Sequence, residues 1–175
     1  MRAVPRGRTE VFIAKYGTEA NELVFKAAFM AYRRKQRGDA SWTKHEQETA
    51  MKNQGPGSPD LAILSFNSFH DRSIASLSTT RSKPVKFPQL KYPLAEHEQE
   101  NGREEELCLQ EVEHIIDSWH CLWLVSFSNQ IRAREAIIVL LQGLQAITES
   151  RGICLNVDEV QTGFGTTGKF WGHEH

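Results

Sequence analysis

The chain contains 175 residues, of which 39% are hydrophobic and 25% are charged, a composition typical of a soluble domain with its own core. Its 21 basic and 22 acidic side chains give a formal net charge of -1, so the charge balance gives no reason to expect nucleic acid or an anionic membrane as a partner. The longest apolar run lies within residues 136–141, which is far too short to span a bilayer.

The three cysteines are scattered along the chain and form no C-x-x-C pair, which argues against a disulfide framework and against a zinc site. They are Cys108, Cys121 and Cys154. This pattern favours a reducing compartment, and we expect a cytoplasmic protein. The first eight residues, MRAVPRGR, are basic and contain no acid, so a short mitochondrial transit peptide stays open as the alternative.

A helix is predicted after Gly17, where the run EANELVFKAAFMAYRRKQRG is rich in helix-forming residues. Thr18 is placed to be its N-cap, since a threonine hydroxyl can accept a hydrogen bond from the first turn. Apolar residues at helical spacing predict one buried face, and Gly38 is expected to end the helix. The expected buried face consists of Leu23, Ala27 and either Met30 or Ala31.

Three local signals follow in the first half of the chain. Residues 54–60, QGPGSPD, are rich in glycine, proline and serine and predict a break in regular structure. The apolar run LAILSF at residues 61–66 predicts a buried strand. Residues 84–93, PVKFPQLKYP, contain spaced prolines and predict an extended segment.

The second half alternates helical and strand patterns. Residues 95–119 predict a helix with a one-sided apolar stripe. The stripe consists of Cys108, Val112, Ile115, Ile116 and Trp119. A short helix that contains Leu144 and Ile147 is expected to end at Gly152, and ICLNV at residues 153–157 predicts another buried strand. This alternation predicts an α/β fold with a mainly parallel sheet.

Near the end of the chain, GFGTTG at residues 163–168 fits the spacing G-x-G-x-x-G of a dinucleotide-binding turn. That function requires the first glycine to follow a strand directly, and five residues separate it from the strand predicted at 153–157. The glycines are equally explained by turns that need a positive φ. The spacing is therefore weak support for a nicotinamide cofactor.

The acids before that turn are a second candidate site. Asp158 would leave a buried strand at its carboxyl end, where ligands of open α/β sheets bind. Asp158 could then pair with a protonated ring nitrogen, and Gln161 could donate a hydrogen bond to a ring oxygen. The alternative is that Asp158 and Glu159 only cap the following turn.

Five segments, taken together and in this order, carry a family resemblance. They are GTEANELVFKAAFMAYRR, AMKNQGPGSPDLAILSF, FHDRSIASLSTTRSKPV, FPQLKYPLAEHEQEN and LNVDEVQTGFGTTGKFWGHEH. Residues 10–120 and 143–175 resemble the class III pyridoxal-phosphate-dependent aminotransferases, in particular the fungal members that act on 4-aminobutyrate. The resemblance implies part of the large domain of fold type I (aspartate-aminotransferase-like). It also implies a homodimer and transfer of the amino group of 4-aminobutyrate to 2-oxoglutarate, with small-molecule amino and keto acids as substrates.

The resemblance also implies a cofactor site for pyridoxal 5'-phosphate. It places Gly17 and Thr18 in the phosphate-binding turn, where a helix N-terminus provides free N–H groups. Phe69 would lie over the cofactor ring, although a core phenylalanine is the alternative. Asp158 would pair with the ring nitrogen, which keeps that nitrogen protonated, and Gln161 would bind the ring hydroxyl.

One segment of the resemblance concerns substrate binding. Arg72 matches the residue that binds the substrate carboxylate, and an exposed surface arginine is the alternative. Asp71 departs from the family, which has glycine there, so its carboxylate is expected to compete for the Arg72 guanidinium and to crowd the turn. His70 fits the family pattern, and we expect it to be a structural histidine.

Several features are expected to be absent. Tyr16 and Glu19 replace the cysteines that hold an iron–sulfur cluster in some members, so no cluster is expected. His173 and His175 are too few for a metal site. The family lysine that binds the cofactor covalently lies on a later strand, and Lys169 comes too early to replace it. No catalytic residue is therefore assigned on this chain.

Parts of the chain depart from the family. Residues 1–9 and 121–142 do not resemble it, so residues 1–175 are expected to form an incomplete cofactor-binding large domain. About a dozen family residues lack a counterpart between Val85 and Lys86, judged from ordinary connector lengths. In the region 121–142 the family has a buried strand, and the codons of a shifted reading frame permit its pattern, so a frameshift is our hypothesis for this stretch. We expect this strand to be lost, with backbone groups of its neighbours left unpaired.

Two functions follow. In the first, the chain is a fragment of a transaminase, and the transaminase reaction gives succinate semialdehyde and glutamate. The alternative is a non-catalytic remnant that lacks the lysine and at most binds the cofactor weakly or pairs with an intact subunit.

Overall fold

The computed structural model describes residues 4–5, 8, 10–50, 62–66, 70–81, 84–119, 122–128 and 134–174. Two sequence predictions, the break at residues 54–60 and the position of Phe69, lie outside the described residues. Within the described ranges the α-helices are α1 (Gly17–Arg37), α2 (Lys44–Ala50), α3 (Ile74–Arg81), α4 (Glu98–Ser118) and α5 (Arg134–Arg151). Short 3-10 helices cover Leu94–Glu96 and Gly172–Glu174.

The described strands form one parallel sheet. They are β1 (Ala62–Phe66), β2 (Pro84–Val85), β3 (Leu122–Ser128) and β4 (Cys154–Asp158), in the order β2-β1-β3-β4. Every pairing between neighbours is parallel, which confirms the predicted α/β fold with a mainly parallel sheet. The carboxyl ends of β1 and β4 therefore meet at one edge of the sheet, where ligands of α/β folds bind.

The expected loss of a central strand within residues 121–142 is wrong. Residues 122–128 form β3, which pairs with β1 on one side and with β4 on the other. The physical reason is local, because the sequence LWLVSFS is apolar and rich in β-forming residues whatever its origin. The side chains of Leu124, Val125 and Phe127 are buried, so the strand fills the centre of the sheet.

Helix α4 covers one face of this sheet as its apolar stripe predicted. Cys108, Val112 and Ile116 are buried in the main core, and Ile115 and Trp119 pack partly buried against it. The stripe meets Leu64 and Phe66 of β1, Phe127 of β3, and the Leu140, Leu144 and Ile147 side chains of α5. Burial of this shared apolar surface is the main favourable contribution to the fold.

Helix α1 packs through a different face from the one that its apolar residues predicted. Its buried residues are Asn21, Phe25 and Ala28, whereas Met30 is 60% exposed. Phe25 and Ala28 share a second core cluster with Leu124 of β3, so the large aromatic ring sets which face turns inward. The polar Asn21 lies on that same face, where its Nδ2 donates to the His70 carbonyl oxygen and to Asp158 Oδ2.

Two helices end at the glycines that the sequence predicts. Gly38 ends α1 with a φ of 63° and donates its N–H to the Arg34 carbonyl at 2.9 Å, as predicted. Gly152 ends α5 with a φ of 64°, although α5 begins at Arg134 and is longer than expected. In the described part of the chain, none of the helices combines the length and the apolar character needed to cross a membrane.

Candidate functional site

The candidate site lies at the carboxyl edge of the sheet. Asp158 is the last residue of β4, and His70 to Arg72 begin the described chain that follows β1. The start of α1 lies against both segments, through Thr18 and Asn21. Three parts of the chain that are distant in sequence therefore meet where the topology of an α/β sheet favours a binding site.

The Asp158 carboxylate is largely enclosed and is held by several groups. Its side chain is 7% exposed, and its Oδ2 accepts a hydrogen bond from Asn21 Nδ2 at 3.1 Å. The same oxygen lies 3.5 Å from Nδ1 of His70. The other oxygen, Oδ1, accepts the backbone N–H of Val160 at 3.1 Å. These contacts orient the carboxylate from both sides.

The pKa of Asp158 lies below its ordinary value. Burial raises the pKa, but the contacts with His70, Asn21 and the backbone N–H of Val160, together with the charge on His70, outweigh that effect and lower it. Asp158 is therefore a buried carboxylate that stays ionised at neutral pH. Such a group can hold a cation or a protonated ring nitrogen.

His70 and Asn21 are the site residues whose position the sequence did not reveal. His70 is 1% exposed, and its ring faces Asp158 rather than only filling space. Asn21 is 5% exposed and also lies 3.5 Å from the His70 carbonyl oxygen, to which its Nδ2 donates. The available signal was topological, because His70 comes after β1 at the same sheet edge as Asp158.

The predicted N-cap role of Thr18 is wrong. Helix α1 begins one residue earlier, at Gly17, and its N-cap is Tyr16, whose side chain makes no capping hydrogen bond. The Thr18 hydroxyl instead donates to Oδ2 of Asp71. This contact draws the hydroxyl across to the segment after β1, so that Thr18 and Asn21, one helical turn apart, both face residues 70–71.

Asp71 adopts a backbone conformation that favours glycine, with a φ of 85°. Its Oδ1 accepts the backbone N–H of Arg72 at 2.8 Å, while its Oδ2 accepts the Thr18 hydroxyl. The turn thus accommodates an aspartate that the resemblance did not expect. The Arg72 residue itself is exposed, beside the site edge.

Gly17 allows the start of α1 to approach the chain that follows β4. A Cβ atom placed on Gly17 would lie 2.8 Å from Cγ2 of Val160, a distance that real Cβ atoms essentially never show. A side chain at position 17 would therefore require Val160, which is 62% exposed, to shift. The contact between Gly17 and Val160 places the N-terminus of α1 close to Asp158, which precedes Val160 by two residues.

The two acids after β4 have different partners. Glu159 accepts the backbone N–H groups of Gly172 and His173 and contacts Nδ1 of His173, so it caps the short helix Gly172–Glu174. Capping thus explains Glu159. Asp158 also caps the following turn through Oδ1, which accepts the Val160 N–H, but its Oδ2 turns back toward Asn21 and His70. Gln161 lies exposed in the turn that follows.

The glycine-rich stretch forms a turn, as predicted, and does not open a helix. Residues 160–167 are turn residues, with positive φ values of 88° at Gly165 and 94° at Gly168. Lys169 donates from Nζ to the Glu174 carbonyl oxygen at 2.9 Å. Among the described residues, no three His, Cys, Asp or Glu side chains form a group that could hold a metal ion.

A parallel sheet with an ionised carboxylate at its carboxyl edge, next to a helix N-terminus, is typical of α/β enzymes that bind phosphorylated cofactors. The sequence profile of the family described as aminotransferase class-III matches residues 1–122 and 134–175. The chain therefore belongs to the class-III aminotransferase family, whose fold is type I. Residues 123–133 are unmatched, whereas the profile includes residues 1–9, 121–122 and 134–142, which were expected not to resemble the family.

Individual relatives are similar along the whole chain. The 4-aminobutyrate aminotransferase of Dictyostelium discoideum is 46% identical over 193 residues, and that of Emericella nidulans is 44% identical over 195. The mitochondrial 4-aminobutyrate aminotransferase of Mus musculus is 39% identical over 204 residues. Each alignment covers 100% of this chain but only 39% of the relative. The chain thus spans about two fifths of the length of these curated relatives.

Proposed function

We propose that this chain forms the cofactor-binding part of a 4-aminobutyrate transaminase. In that reaction the amino group of 4-aminobutyrate passes to 2-oxoglutarate, which gives succinate semialdehyde and glutamate. The observation that carries the proposal is the Asp158 carboxylate, which is ionised, enclosed and held by Asn21 and His70 at the carboxyl edge of the sheet. The names of the relatives, all 4-aminobutyrate aminotransferases, supply the substrate.

Pyridoxal 5'-phosphate is the cofactor that this family uses, and the described residues fit it. When bound, the cofactor supplies an electron sink for the carbon atom that loses a proton. Asp158 would hold its ring nitrogen in the protonated form, because the carboxylate keeps a low pKa in spite of burial. Gln161, in the exposed turn three residues later, would hydrogen-bond the ring hydroxyl. Phe69 would cover the ring, although it lies outside the described residues.

The start of α1 would hold the phosphate. The first N–H groups of a helix have no intrahelical partners and attract anions. The Tyr16 side chain makes no capping hydrogen bond to these N–H groups. Gly17 would present its backbone to the phosphate, and Thr18 would add its hydroxyl. The helix end lies at the same sheet edge as Asp158, as a cofactor with two charged ends requires.

Arg72 would bind the substrate carboxylate. Its planar guanidinium suits a bidentate contact with a carboxylate, and its exposed position beside the site leaves the side chain accessible. We also propose the homodimer and the compartments that the family suggests. The mouse and pig relatives are named mitochondrial, and this chain would act in the mitochondrion or the cytoplasm.

Equilibrium binding of pyridoxal phosphate to the chain tests the proposal. We expect saturable binding that weakens about tenfold in Asp158→Asn, because an amide cannot keep the ring nitrogen protonated. Asp39→Asn is the matched control, since Asp39 is exposed and follows the opposite end of α1. No saturable binding, or equal binding by wild type and Asp158→Asn, would overturn the proposed cofactor site.

Borohydride reduction distinguishes the transaminase from a non-catalytic chain. Reduction in the presence of pyridoxal phosphate, followed by peptide mapping, shows whether one lysine of this chain carries the cofactor covalently. Labelling of a single lysine supports a transaminase site in which this chain itself provides the lysine that binds the cofactor. Reversible binding without such labelling favours the alternative, a chain that binds cofactor but does not catalyse transfer by itself.

A further inference from the structure

We propose that Asp71 competes with the cofactor phosphate for the start of α1 and so weakens cofactor binding in this chain. The proposal rests on the cofactor site proposed above. Asp71 would act as an internal anion, whose carboxylate already accepts the hydroxyl that the phosphate would use. In this role Asp71 would change the affinity for the cofactor and would take no part in the transfer reaction.

The geometry shows that the carboxylate is held in this position. Its Oδ2 accepts the Thr18 hydroxyl, and its Oδ1 accepts the Arg72 backbone N–H at 2.8 Å. With both oxygens engaged, the side chain is fixed between α1 and the segment after β1. A phosphate that takes the Thr18 hydroxyl must therefore displace it or lie against it.

The backbone supports the same conclusion. Asp71 has a φ of 85°, a conformation that non-glycine residues rarely adopt and that aspartate and asparagine tolerate best. A glycine would adopt this turn without strain and without a side chain. The aspartate therefore adds a negative charge at a position where the fold itself requires none.

The charge lies where it has the largest effect on an anion. A helix N-terminus attracts anions, and the partly buried Asp71 carboxylate lies beside it, where it accepts the Thr18 hydroxyl. A phosphate brought to the same place repels the carboxylate, and the repulsion is stronger at a partly buried site than in bulk water. Asp71 should therefore weaken the binding of ligands that have a phosphate group and leave the binding of ligands without one unchanged.

The competing explanation is that Asp71 only fastens α1 to the segment after β1. A fastening role predicts that loss of the carboxylate lowers the stability and weakens every ligand alike. Competition predicts instead a gain in affinity that depends on the phosphate group. The two explanations therefore differ in the sign of the change as well as in its ligand dependence.

The test compares pyridoxal phosphate with pyridoxal, which lacks the phosphate, by equilibrium binding to wild type, Asp71→Asn and Asp71→Gly. Asparagine keeps the shape and tolerates the positive φ, whereas glycine removes the side chain and the strain. We expect both variants to bind pyridoxal phosphate about tenfold more tightly while their affinity for pyridoxal stays unchanged. Asp39→Asn, at the far end of α1, should bind both ligands as wild type does.

Thermal unfolding with inorganic phosphate is a second measurement, and it depends neither on the aldehyde group of the cofactor nor on enzyme turnover. Inorganic phosphate should raise the melting temperature of Asp71→Asn more than that of wild type, since it binds a helix end that no longer has the Asp71 charge beside it. Equal affinities for pyridoxal phosphate in wild type and both variants, or an equal gain for pyridoxal, would overturn the competition. If neither wild type nor the variants bind pyridoxal phosphate, the proposed cofactor site fails as well, so the two failures are distinguishable.

Discussion

The Asn21 amide donates a hydrogen bond to the Asp158 carboxylate at 3.1 Å, although 137 positions separate the two residues in the sequence. Asn21 lies one turn into α1, and Asp158 ends β4. The contact joins the first long helix of the chain to the last strand of the sheet. It also helps to keep the carboxylate ionised, since the amide is one of the groups that lower the pKa of Asp158.

Replacement of Asn21 should therefore destabilise the fold. In Asn21→Ala the buried carboxylate loses a donor, and we expect the free energy of unfolding to fall by about 1–3 kcal/mol. Urea denaturation measures this change. Gln142→Ala, on the exposed side of α5, is the control and should change the free energy of unfolding by less than about 0.5 kcal/mol. An equal effect of both substitutions would show that the Asn21 contact does not stabilise the fold.

The low pKa of Asp158 predicts a particular pH dependence. Burial raises this pKa, but the contacts with His70, Asn21 and Val160 outweigh burial, so the folded value lies below the ordinary value of 3.8. The stabilisation from Asp158 is then fully present above the unfolded pKa and is lost as the pH falls through the folded pKa. We expect the difference in unfolding free energy between wild type and Asp158→Asn to be constant near neutral pH and to shrink below about pH 4.

Denaturant unfolding of both proteins across that pH range provides the measurement. A difference that stays constant down to strong acid would mean that Asp158 has the same pKa in the folded and unfolded chains. A difference that grows as the pH falls would reverse the sign and would mean that burial outweighs the contacts with His70 and Asn21.

Residues with strong local signals could be placed from the sequence. The stripe of α4 and the terminal glycines Gly38 and Gly152 act through periodicity and backbone conformation, which depend on near neighbours. The position of Asp158 followed from sheet topology, since ligands bind where parallel strands end. These predictions needed no knowledge of which distant residues would be in contact.

The remainder depended on tertiary contacts that local patterns do not contain. Asn21 is polar and was omitted from the predicted buried face, because burial of asparagine is favourable only with partners such as Asp158 and the His70 carbonyl. Local sequence favours Thr18 as the cap of α1, but its hydroxyl donates to the carboxylate of Asp71, which lies 53 positions away in the sequence. Strand β3 forms although its sequence departs from the family, because the β-forming residues 122–128 pair with β1 and β4.

The central position of β3 in the sheet can be tested by substitution. Val125 is fully buried and pairs in register with Leu64 of β1 and with Leu155 of β4. We expect Val125→Ala to lower the free energy of unfolding by about 1–3 kcal/mol through lost burial and a residual cavity. Val139→Ala, whose valine is 52% exposed on α5, should have little effect. Similar small losses in both variants would argue that residues 122–128 do not form the central strand.

The close approach of α1 to Val160 can be tested by glycine-to-alanine substitution at Gly17, with the same substitution at Gly102 as the control. Both residues lie in helices, where alanine is ordinarily more stable than glycine by about 0.5–1 kcal/mol. A Cβ at Gly102 would meet nothing within 4 Å, so Gly102→Ala should stabilise the chain. A Cβ at Gly17 would lie 2.8 Å from Cγ2 of Val160, so Gly17→Ala should destabilise it by about 1–3 kcal/mol.

The double variant Gly17→Ala with Val160→Ala identifies the cause of that loss. Removal of the two Val160 methyl groups leaves room for the new Cβ, so the double variant should be more stable than Gly17→Ala alone. Thermal or urea unfolding of the four proteins in this cycle measures the coupling. If Val160→Ala brings no recovery, or if Gly17→Ala stabilises the chain as Gly102→Ala does, then the start of α1 does not pack against the chain after β4. The helix end would then not be held beside Asp158, and the proposed phosphate position would lose its structural basis.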